Sequence, residues 1–115
     1  MDVFDDSWIE LMHCILWMLR EVDEWVFHRL IYELSRDKRV PVDSWKWFGD
    51  WPRSGEVDAL IGFLKMMGIV EAEDGVLRAV KPPVVDCREL GIHRDLLDKY
   101  LGNVKRLSSA SRLRG

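Results

Sequence analysis

Residues Ser54 to Val80 read SGEVDALIGFLKMMGIVEAEDGVLRAV, and the order of signals within them decides the fold. Val57, Leu60, Ile61 and Leu64 fall at i, i+3, i+4 and i+7, which places four apolar side chains on one face of a helix. Ser54 is suited to cap its start, and Gly68 stands where a left-handed residue closes a helix. Beyond it, Ile69 to Glu73 and Val76 to Val80 flank Asp74-Gly75, the pair best suited to the positive φ angles of a two-residue type I′ turn. Helix, glycine stop and hairpin follow one another without a break.

Upstream, Ser7 with Glu10 three residues later forms a capping box ahead of the apolar run Trp8 to Leu19, so a helix is expected over 7–20. Val26, Leu30 and Leu34 continue the helical spacing through Ser35 with no Gly or Pro between. One long helix or two abutting ones would fit. The acids Glu21, Asp23 and Glu24 favour a break, because carboxylates suit first helical turns and oppose last ones. Asp37 to Arg39 reads as a charged turn, and Pro41 bars the preceding helix from continuing. Asp43 or Ser44 then caps an expected short helix reaching Trp47 or Phe48, with Gly49 and Pro52 bracketing the next turn.

Downstream, Lys81-Pro82-Pro83 ends the second hairpin strand, since neither proline can donate to a ladder. Asp86 with Glu89 is another capping pattern, and Leu90, Leu96, Leu97, Tyr100 and Leu101 predict a last amphipathic helix over 87–101 that stops at Gly102. Residues 103–115 are polar and basic, and are expected as a flexible tail. The expected class is mainly α with a small β-hairpin, in one domain over 1–102.

The chain has 115 residues, 48% hydrophobic and 32% charged, and no apolar run approaches the ~20 residues of a membrane span. The acidic start, Asp2, Asp5 and Asp6, is unlike a secretory signal, so cytoplasmic residence is expected. Cys14 and Cys87 are expected as free thiols in a reducing compartment, and with His13, His28 and His93 they form no metal-binding spacing. No nucleophile elbow, phosphate loop or zinc protease motif is present, so neither enzymatic activity nor a cofactor is expected. The chain lacks Gln and Thr and has one Asn, a composition that leans towards a thermophilic source. Net charge is −3, but residues 35–55 hold five bases against three acids and residues 102–115 hold four bases and no acid. Basic charge is therefore concentrated in two places.

From Trp25 to Val80 the chain resembles the winged helix-turn-helix superfamily, especially small archaeal and bacterial regulators, in which helix, turn, helix and wing follow in this order. The passage FLKMMGIVEAEDGV at Phe63 to Val76 carries the resemblance most clearly. The resemblance implies a winged-helix core over 25–80 with an added helix at each end, and a third helix that enters a DNA groove while the wing touches the flanking backbone. Carried over by position, contacts to double-stranded DNA are expected from Lys38, Arg39, Lys46, Arg53, Ser54, Lys65, Arg78 and Lys81, making this a DNA-associated, transcription-regulator-like protein.

The outward face of the third helix fits base reading poorly. It presents Gly55, Asp58, Ala59, Gly62, Lys65 and Met66, of which only Lys65 is a side chain that reads bases. The smooth row Gly55, Ala59, Gly62 and Met66 suits instead a docked protein, or packing beneath one of the chain's own helices. The segment SWKWFGDWPR at Ser44 to Arg53 interleaves tryptophans with bases; stacking on single-stranded nucleic acid and simple burial in the core are its two readings, with Trp51 the tryptophan expected to stay partly exposed. The helix from Trp8 to Leu19 is apolar over more than one face, which points to burial inside the fold or to a homodimer through the terminal helices.

Overall fold

The computed structural model describes residues 6–37 and 39–114, with side chains described from Ser7 to Val104 apart from Lys38. The element order is α1 (Asp6–Leu19), β1 (Glu21–Asp23), α2 (Glu24–Arg36), β2 (Lys46–Phe48), β3 (Trp51–Arg53), α3 (Gly55–Met66), β4 (Val70–Glu73), β5 (Val76–Ala79), a 3₁₀ turn (Cys87–Leu90) and α4 (Arg94–Arg114). Helices dominate, accompanied by small antiparallel sheets.

The stretch from Ser54 to Val80 folds as its residues dictate. The Ser54 side chain accepts hydrogen bonds from the Glu56 and Val57 amides, and Val57, Leu60, Ile61 and Leu64 are buried along one stripe of α3. Gly68 adopts φ 72°, where an L side chain would be strained. The amides of Gly68 and Ile69 then donate to the carbonyls of Lys65 and Leu64, the pattern that satisfies the last turn of a helix. Asp74 and Gly75 take φ 54° and 78° at the tip of the β4–β5 hairpin, as a type I′ turn requires.

Residues 7–35 divide into two helices, and the break is itself a strand. Asp23 caps α2 by accepting from the Trp25 and Val26 amides. Just before it, Val22 is buried opposite Leu77, so β1 joins the hairpin in a three-stranded sheet of order β1-β5-β4. The core gathers Trp8, Met12, Ile15 and Leu16 of α1, Phe27, Leu30, Ile31 and Leu34 of α2, the α3 stripe, and Leu97 and Tyr100 of α4. Helix α1 thus buries Trp8, Met12, Ile15 and Leu16 within its own chain, with half-buried Ile9, Trp17, Met18 and Leu19 packed against that core.

Three expectations are corrected. The short helix reaching Trp47 or Phe48 is a second antiparallel hairpin, β2–β3, in register Lys46↔Arg53, Trp47↔Pro52 and Phe48↔Trp51, with Gly49 at φ 64° in its two-residue turn. Aromatic side chains favour extended backbone, and Gly-Asp between two aromatic runs is a hairpin signal. Cys14 and Cys87 are not free thiols: they form a disulfide that ties the buried face of α1 to the 3₁₀ turn. The helix expected over 87–101 is a 3₁₀ turn capped by Asp86 and closed at Gly91, φ 78°, followed by a separate α4 whose backbone stays helical to Arg114, through the stretch expected as a flexible tail. Among the described residues, no helix is long and apolar enough to cross a membrane.

Candidate interaction surface

The junction between β3 and α3 is organised around a buried histidine. His28 of α2 is fully buried, and its Nδ1 accepts a hydrogen bond from the Ser54 amide at 3.2 Å. Nδ1 must then carry a lone pair, so in the neutral ring the proton is on Nε2, which donates to Asp58 Oδ1 at 3.1 Å. Burial pushes the His28 pKa down, and nearby Arg53 adds to this against the opposing pull of Asp58. Arg53 forks onto both oxygens of Asp58, Nε to Oδ2 at 3.0 Å and Nη2 to Oδ1 at 2.9 Å, and Nη2 also reaches Glu24 Oε1 at 2.6 Å. Burial alone would raise the Asp58 pKa, but the Arg53 hydrogen bonds and charge hold it below the ordinary carboxylate value.

Glu24, His28 and Asp58 bring three ligand-type atoms within 4.8 Å of one another, a grouping that histidine spacing in the sequence does not reveal. Two features make it a poor metal site. The Arg53 guanidinium already bridges both carboxylates, and the Ser54 amide holds His28 in the tautomer whose Nε2 carries a proton and has no lone pair for a metal. Arg53 is the cation of this cluster.

The residues expected to contact DNA meet different fates. Lys38 lies outside the described residues. Ser54 is fully buried as the α3 cap, and Arg53 is bound to Glu24 and Asp58. Arg78 pairs with Glu71 at 2.9 Å, opposite Glu21 in the sheet register. Lys65 and Arg78 share a cleft of about 690 Å³ with Glu21, Glu71, Glu73 and Asp74, so acids outnumber bases along the wing. Arg39, Lys46 and Lys81 are exposed. Lys46 shares a different cleft with Arg53, so the structure gathers Lys65 with Arg78 and Lys46 with Arg53, on separate parts of the surface.

Among the described residues, no other element roofs the row Gly55, Ala59, Gly62 and Met66. A Cβ built on Gly55 or Gly62 meets nothing within 4 Å, and Met66 is 87% exposed. Packing among the described residues therefore does not account for these small residues. The β2–β3 hairpin continues the surface: a cleft of about 630 Å³ is lined by Lys46 and Phe48 of β2 together with Gly55 and Asp58 of α3.

Trp51 is half-buried, in line with the partial exposure expected of it, while Trp47 and Phe48 are more open, at 49% and 55% exposed. The hairpin lies on α2 through its rings. Trp45 and Trp47 meet Tyr32 edge-on at 5.4 and 4.9 Å, and Phe48 meets Trp25 at 5.6 Å with the ring planes 73° apart. Arg29 stacks over both Tyr32 and Trp47, and Arg53 over Trp25. A cleft of about 290 Å³ opens between Trp25, Phe48 and Trp51. Comparison with protein-family models, curated proteins and solved structures finds no match to this chain.

Proposed function

We propose that this chain is a non-enzymatic protein-docking module of winged-helix type, whose docking surface is the outer face of α3 continued by the β2–β3 hairpin. The order α2, connecting segment, α3 and the β4–β5 hairpin supports the winged-helix reading, with a hairpin where Asp43 and Ser44 led one to expect a short helix. One observation carries the docking reading. Gly62 occupies the middle of α3, where glycine costs about 1 kcal/mol relative to alanine, yet among the described residues nothing lies within 4 Å of the position a Cβ would take there. A helix that keeps such a residue without internal need is shaped for a surface from outside. Exposed Trp25, Trp47, Phe48, Met66 and Met67 beside arginines match the composition of protein interfaces, in which aromatic residues, Met and Arg are enriched.

Association with double-stranded DNA is the second reading, and the exposed Arg39, Lys46, Lys65 and Lys81 favour it. Against it stand the occupied Arg53 and the acids of the wing. For residence, the cytoplasm of a thermophile accommodates the disulfide, because intracellular disulfides are common in hyperthermophiles.

The experiment is affinity capture from nuclease-treated lysate of the source organism, followed by reconstitution with the purified captured protein. Docking predicts that Gly62→Leu lowers the reconstituted affinity at least tenfold while the fold is retained, since the space above Gly62 is open. Retention on duplex DNA that fades as salt rises, and weakens in Lys46→Ala, would favour the DNA reading instead.

A further inference from the structure

We propose that the cleft between Trp25, Phe48 and Trp51 receives the methylated ammonium head of a lysine side chain on the docked protein; this rests on the docking reading above. The cleft is built of three aromatic side chains, about 290 Å³ in volume, and Trp25 and Phe48 meet at 73° to form two walls of a corner. Ring faces are electron-rich and attract cations, and the chain uses that property here already: the Arg53 Cζ stands 4.8 Å from the centre of the Trp25 ring.

Charge selects the sign of the ligand. Beside Trp25, two carboxylates, Glu24 and Asp58, face one guanidinium, Arg53, with His28 neutral, so the neighbourhood carries a net negative charge. Arg53 is held by those carboxylates, and Arg29 by Glu33 and the Asp50 carbonyl. A phosphate group entering with a nucleotide would find these guanidinium groups already engaged.

Methylation follows from the lining. An unmodified lysine brings three N–H donors that need acceptors, whereas tryptophan offers only a donor and phenylalanine neither. Donors left without partners carry a desolvation cost. A trimethylated ammonium keeps the charge and has no N–H to satisfy, so three aromatic walls suffice for it.

The test titrates the full chain with acetyl-trimethyllysine amide, its unmodified lysine counterpart, its neutral tert-butyl carbon isostere and an oligo-dT strand, following the indole N–H signals of Trp25 and Trp51 by NMR. The expected result is a saturable shift with trimethyllysine, at least about tenfold tighter than with lysine or the isostere, and lost in Phe48→Ala. Phe48 is 55% exposed, so that variant is expected to fold, and its melting curve checks this. Equal response to the isostere, tighter response to lysine or oligo-dT, or no saturable shift overturns the proposal. If these probes fail while the reconstituted partner still binds, the cleft assignment alone is wrong; if the cleft binds but Gly62→Leu leaves partner affinity unchanged, the docking face is wrong.

Discussion

Reducing the disulfide between Cys14 and Cys87 is expected to lower stability substantially, by an amount set by chain length. The two residues are 73 positions apart. In the chain-entropy description, closing a loop of that size removes roughly 15 cal/mol/K from the unfolded ensemble, about 4.4 kcal/mol at room temperature. For 115 residues the entropy of unfolding near the melting temperature is about 0.24 kcal/mol/K, so the midpoint should fall by roughly 18 °C. Circular dichroism melts with and without a phosphine reductant supply the assay, and intact mass with thiol alkylation confirms which form is present. Cys87→Ser, at the half-buried end of the link, should reproduce the reduced protein while leaving the fully buried Cys14 in the core. A change below about 5 °C, or alkylation of both thiols in protein isolated without reductant, would refute the reasoning.

Other expectations follow from the helix and the histidine cluster. Gly62→Ala should stabilise by about 1 kcal/mol and raise the melting midpoint by roughly 4 °C in thermal denaturation, because the new methyl meets nothing in the fold. Arg53→Ala should destabilise by about 1–2 kcal/mol in urea titrations, leaving two carboxylates beside buried His28; the figure is below that of a fully buried pair because the Asp58 side chain is 40% exposed. His28 has a pKa below its ordinary 6.5, so between the folded value and 6.5 the unfolded chain binds the extra proton. Its contribution is complete above pH 6.5 and is lost as pH falls towards the folded value; urea midpoints should drop on acidification through that window, and the drop should vanish in His28→Asn. Asp58, depressed below 3.8, adds a second loss as pH falls through its folded value.

How much of this was legible in the sequence depended on whether a signal was local. The helix from Ser54, the Gly68 stop and the Asp74-Gly75 turn each follow from neighbouring residues, and each appears where the spacing placed it. Strand β1 was legible only as a break, since its single buried residue, Val22, is explained by Leu77 far along the chain. The β2–β3 hairpin had a local signal in Gly49-Asp50, but the capping residues Asp43 and Ser44 suggested a helix, and strands of three residues carry too little alternation to outweigh them. The disulfide could not be assigned, because two cysteines far apart give no geometry until α1 and the 3₁₀ turn are placed together.

The candidate site divides in the same way. The small-residue row on α3 was visible from helical projection, and the structure adds that no described residue comes within 4 Å of a Cβ built on Gly55 or Gly62. Arg53 read as a free cation at a helix start because its partners Glu24 and Asp58 come together only when α2 packs beside α3. The exposure of Trp47 and Phe48 was not legible, because a short helix would carry them into the core, whereas in β2 they rest on α2 by one edge and stay about half open.

The most direct test of the docking account is the binding isotherm of the reconstituted, nuclease-treated partner on wild-type protein and on Gly62→Leu. The account predicts an affinity at least tenfold weaker for Gly62→Leu, with a folded variant that melts no lower than wild type. Unchanged affinity, or capture that disappears once nucleic acid is digested, would contradict it.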